Sequence, residues 1–177
     1  MDRERIERIV ENKYSLLLFF LVTLLLASLL TVHHNVLHFT VGSLFAIVVF
    51  IIMLKILKAS RLLFAVYIVL SVVALLLHYL AVFAIRSKPL VIVTLVVYIV
   101  MIGILIVFVI RRMFSEKLVT GDTIKGGISV YIMIGTWWQM VYQLLWLHDP
   151  RSFLFPGNVF LQGDLLYYSF STMTCLG

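Results

Sequence analysis

From Pro89 to Ile110 the chain runs without a single charged residue. A helix needs about 20 predominantly apolar residues to cross about 30 Å of hydrocarbon, and this segment meets that requirement. Four more segments approach it: Tyr14–Val32, Thr40–Leu57, Leu62–Ile85 and Ile128–Leu147. A backbone that leaves water must satisfy its own N–H and C=O groups, which restricts such segments to helices. The remaining residues could not clothe a water-soluble core. The chain is 63% hydrophobic and 12% charged, against about 45–50% and about 25% in soluble domains. The expected fold is an all-α membrane protein with five transmembrane helices.

The charges fall in short segments between these runs, and their placement predicts the orientation. Arg3, Arg5, Arg8, Lys13, Lys55, Lys58, Arg61, Arg111, Arg112, Lys117 and Lys125 lie on one side. Arg86, Lys88 and Arg151 lie on the other. The positive-inside rule places the N-terminus in the cytoplasm of a multi-pass cell-membrane protein. The net charge of +6 therefore reads as a topology signal, and no nucleic-acid partner is expected. The mixed charges of residues 1–13 and the length of the first run argue against a cleaved signal peptide. Ile6, Ile9 and Val10 recur at helical spacing among those charges, as in a short helix on the inner membrane surface or a solvated extension of the first span.

The layout divides the chain into four parts. Residues 1–13 form a cytoplasmic segment, and 14–112 a four-helix scaffold. Residues 113–127 form a cytoplasmic linker, and 128–177 the fifth span with the segment that follows it. Lys58–Arg61 leaves room only for a tight hairpin between the second and third runs.

The last residues differ in kind. The stretch after Leu147 holds Pro150, Pro156, Gly157 and Asn158 and reads as an external loop. Asp164 is a candidate helix N-cap. The ten residues after it would rise about 15 Å as a helix, half a bilayer. A half-helix that dips in from outside is the expected solution. Its C-terminal carbonyls would carry roughly half a negative charge toward mid-membrane, which favours a cation there.

Tyr167-Tyr168-Ser169-Phe170-Ser171-Thr172-Met173-Thr174-Cys175-Leu176-Gly177 resembles the pore helix and the start of the selectivity filter of the potassium-channel superfamily. The family signature is T-x-T-T-V/L-G-Y-G-D, and Thr172, Met173, Thr174, Leu176 and Gly177 fall on matching positions. The resemblance implies a passive potassium channel of four identical chains, each contributing one loop whose carbonyls replace the ion's hydration shell. It implies Thr174, Cys175, Leu176 and Gly177 as filter residues, with Asp164, Tyr168 and Thr172 in the pore helix. The permeant potassium ion is the expected ligand, and no cofactor is implied. The family usually has threonine where Cys175 stands, and a thiol is a weaker acceptor. The Tyr-Gly-Asp continuation and a closing sixth span would lie beyond Gly177, so the sequence is expected to be a channel fragment ending in the filter. The competing expectation is a non-conducting membrane scaffold or assembly subunit.

Other features carry less. The fourth run lacks the spaced arginines of a voltage sensor. His33, His34 and His38 read as an interfacial loop, with external proton or zinc binding the alternative. His78 is expected to snorkel at the outer end of the third run. Gln139 and Gln143 stand one turn apart and are expected to face protein. Trp146 reads as an interfacial anchor. Gly126-Gly127 reads as a hinge or a helix start. No enzyme constellation appears, since Ser169 and Ser171 have no histidine base within reach by sequence.

Overall fold

The computed structural model describes residues 13–30, 47, 50, 51, 54, 55, 58–81, 87–116, 119–153 and 162–175. Among these are five α-helices and no strand: α1 (Lys13–Leu30), α2 (Arg61–Tyr79), α3 (Lys88–Phe114), α4 (Gly121–His148) and α5 (Gln162–Thr174). A 3-10 turn, Pro150–Ser152, links α4 toward α5.

Each boundary has a local cause. The turn before α2 begins with Lys58 at a left-handed φ of 53°. Lys58 N–H donates to the Lys55 carbonyl at 3.1 Å and Ala59 N–H to Leu54 at 3.0 Å. This is the paired Schellman pattern that closes a helix. Ser60 then caps α2, its Oγ accepting from Leu63 N–H at 3.3 Å. A tight turn at Lys58–Ser60 thus leads directly into α2. Pro89 sits in the first turn of α3, where its missing N–H costs nothing. Thr120 caps α4 through a reciprocal pair with Thr123.

That cap moves a boundary. The linker expected at 113–127 shrinks, because α3 runs on to Phe114 and α4 starts at Gly121. Gly126 and Gly127 are neither hinge nor helix start but lie inside the first turns of α4. A Cβ on Gly126 would meet the Tyr14 ring and Met113 Sδ at 3.0 Å, so the residue marks a close helix crossing.

α4 is the hub, packing against α1, α3 and α5. The core runs along it. Tyr14, Leu17 and Leu21 come from one face of α1, Met101, Leu105 and Val109 from α3, and Met133 from α4 itself. Ile47, Phe50 and Leu54 of the second expected span also reach this core; most of that span lies outside the described residues.

Five membrane-crossing helices were expected, and the structure supports two. Among the described residues, α2 and α3 are long and apolar enough to cross a membrane. α1 is apolar but short, at 18 residues, and α4 is diluted by Asp122, Lys125, Gln139, Gln143 and its glycines. Only 22% of the most apolar stretch of α2 is buried within the molecule, and 28% of that of α3. A helix from a soluble core would be mostly buried. Leu62, Val69, Val72 and Leu76 instead form an exposed apolar face on α2.

Candidate pore-helix site

α5 has 13 residues, a rise of about 20 Å, well short of a bilayer. Leu165, Leu166 and Ser169 are buried on one side, whereas Tyr167, Tyr168, Thr172 and Thr174 are exposed. The buried side seats on α4. Ser169 Oγ donates to the Gly135 carbonyl at 2.7 Å, near the middle of the 28-residue α4. The fit is close: a Cβ on Gly135 would lie 2.5 Å from the Phe170 ring.

The two helices run in opposite directions. Tyr168 meets Tyr142 at 5.0 Å between ring centroids, and Phe170 meets Tyr131 at 5.8 Å. Advancing along α5 thus means retreating along α4 from its C-terminal end toward its middle. Phe153, just past the C-terminal end of α4, stands edge-on to Tyr168 at 5.5 Å and to Tyr142 at 5.8 Å.

The structure revises several expected roles. Asp164 is not the N-cap. α5 begins two residues earlier, at Gln162, which puts Asp164 inside the first turn. A carboxylate there still complements the positive helix end. Thr172 lies in α5, as expected. It is exposed, and its hydroxyl donates back to Tyr168 and Ser169 carbonyls at 2.9 Å. Thr174 does the same toward Phe170 at 2.9 Å. Cys175 takes a left-handed φ of 55°, and its N–H donates to Thr172 at 3.3 Å, which ends the helix. Its thiol is free and exposed. Leu176 and Gly177 lie outside the described residues, as do His33, His34 and His38.

Gln139 and Gln143 are half-buried with no hydrogen-bond partner among the described residues. His78 is buried at 3% exposure, so it does not snorkel. α3 and α4 are tied by Trp137, whose Nε1 donates to the Ile99 carbonyl at 3.0 Å. That carbonyl belongs one turn before Gly103, and the absent side chain leaves room for the indole.

A second cluster, at the N-terminal end of α4, was missed from sequence. The Asp122 carboxylate accepts from the backbone N–H groups of Tyr14 at 3.2 Å and Ser15 at 2.9 Å. α1 is therefore capped by a residue of α4. Glu116 pairs with Lys13 and accepts from Tyr14 Oη at 3.2 Å and Thr123 Oγ1 at 3.1 Å. Lys125 reaches Ser15 Oγ at 3.2 Å. Partial burial pushes the Glu116 carboxyl up, but the Lys13 hydrogen bond and charge, with the two hydroxyl donors, outweigh it and hold the group below its ordinary range. One signal was available: Thr120-Gly-Asp-Thr has the spacing of a helix start with an acid in the first turn. The partners of Asp122, and Lys13 and Tyr14 beside Glu116, lie more than a hundred residues away, and no local pattern names them.

No protein-family model, curated protein or solved structure matches this chain.

Proposed function

We propose that this chain is a subunit of a passive cation channel in a cell membrane, with α5 as its pore helix and potassium as the permeant ion. One observation carries the reading. A half-length helix lies antiparallel to α4, is held near the middle of α4 by Ser169 and Gly135, and ends five residues beyond that contact, where Cys175 turns left-handed. Backbone that stops at such depth is tolerated only where protein or a water-filled cavity surrounds it. The helix's negative C-terminal pole favours a cation at that point.

The match of Thr172–Gly177 to the filter pattern supports potassium over other cations. In this reading α2 and α3 cross the membrane with α1, α4 and the second apolar run, giving five crossings, and the N-terminus is cytoplasmic. Four copies surround one pore. The exposed Tyr167, Thr172 and Thr174 then meet neighbouring copies or the ion path.

The test is flux from the product of the gene, read beyond codon 177, in liposomes under opposed potassium and sodium gradients. Potassium flux well above sodium flux is expected. Equal flux would mean that Cys175 relaxes selectivity. Absence of both would favour the non-conducting scaffold.

A further inference from the structure

Beside the buried face of α3 lies a cleft that the channel reading leaves unused. It has a volume of about 360 Å³ and is lined by Leu63 of α2 and by Gly103, Ile104, Val107, Phe108 and Arg111 of α3. Its walls are apolar except at one end, where Arg111 stands in the last turn of α3. From Gly103 to Arg111 the cleft follows two turns of helix, about 12 Å. Lys58 and Arg61, at the adjoining start of α2, are exposed, as is Arg111.

None of these three cations has an acidic partner among the described residues. Among the described residues the one ion pair is Lys13–Glu116. Asp122, the other described acid at this end, is occupied by the N-terminus of α1. An apolar slot two turns deep therefore opens beneath unpaired positive charge, which complements one ligand chemistry. We infer that the cleft binds a phospholipid with an anionic headgroup from the inner leaflet. One acyl chain lies along Ile104, Val107 and Phe108, and the phosphate meets Arg111, with Lys58 and Arg61 adding to the field. This rests on the reading that α2 and α3 cross the membrane with these ends inside.

The full chain, purified in detergent, is titrated with phosphatidylglycerol or phosphatidylcholine, and bound lipid is counted by native mass spectrometry. Phosphatidylglycerol should be held about fivefold more tightly, the scale of one basic residue at a membrane surface. R111Q should bring the two lipids to parity. R151Q, which removes the same charge at the opposite end, should leave the preference unchanged. V107W, which fills the slot, should reduce retention of both lipids, and circular dichroism checks that each variant keeps its helices. Equal retention of the two lipids, a preference that survives R111Q, an equal loss in R151Q, or unchanged binding by V107W would each overturn the proposal. Flotation with pure phosphatidylcholine vesicles separates the two readings. A chain that floats without preferring phosphatidylglycerol keeps its membrane assignment and loses the lipid site; a chain that does not float loses both.

Discussion

At the scale of single residues, Gly135 sets the seat of α5. Its missing side chain lets the Phe170 ring approach, and its carbonyl takes the Ser169 hydroxyl. Gly135→Ala should cost about 1–3 kcal/mol through overpacking and reduce potassium flux. Adding Phe170→Leu should recover part of both losses, which thermal melting and liposome flux would read in a double-mutant cycle. Ser169→Ala should cost about 0.5–1.5 kcal/mol. Glu116 supports a pH prediction. Its folded pKa lies below the unfolded value, so its contribution is complete above about pH 4.3. That contribution is lost as pH falls through the depressed folded value. Melting temperatures between pH 7 and 3 should therefore fall more steeply in wild type than in Glu116→Gln. Equal slopes would remove Glu116 from the account. Asp164 and Thr172 show the limit of motif reading at this scale. A pattern marks which residues belong to the short helix, but the helix start and the exposure of Thr172 depend on how α5 meets α4.

At the scale of elements, hydrophobic runs located the starts of α1, α2 and α3 to within one residue, because apolar length is a property of the local chain. They misplaced the start of α4, because charge and glycine between Gly121 and Gly127 imitate a loop. The Thr120 cap and the contact of Gly126 with Tyr14 turn that stretch into helix. Gly126→Ala should consequently destabilise the α1–α4 contact, with a lower melting temperature than wild type. The turn before α2 makes the opposite prediction. Lys58 occupies a left-handed conformation that costs an L-residue about 1–2 kcal/mol. Lys58→Gly should relieve most of that strain and raise the melting temperature, whereas Lys58→Val should lower it.

At the scale of the whole molecule, the orientation and the absence of spaced charge in α3 combine into a prediction about gating. Each charge that moves through the membrane is worth about 2.3 kcal/mol per 100 mV. Pro89–Ile110 offers none. On the proposed channel reading, currents should vary only weakly with voltage, and a steep conductance–voltage curve would contradict this. How the helices join was the least legible part of the sequence, because α4's partners are set by contacts that no periodicity encodes. The Asp122 cap on α1 has one more consequence, for biogenesis. Tyr14 and Ser15 leave the ribosome long before Asp122 is made. At about 5–20 residues per second the interval is about 5–20 s. Throughout that time the first helix stands without the carboxylate that completes it. Its N-terminal end is finished only when α4 arrives, so the first of the described helices is among the last to be locked.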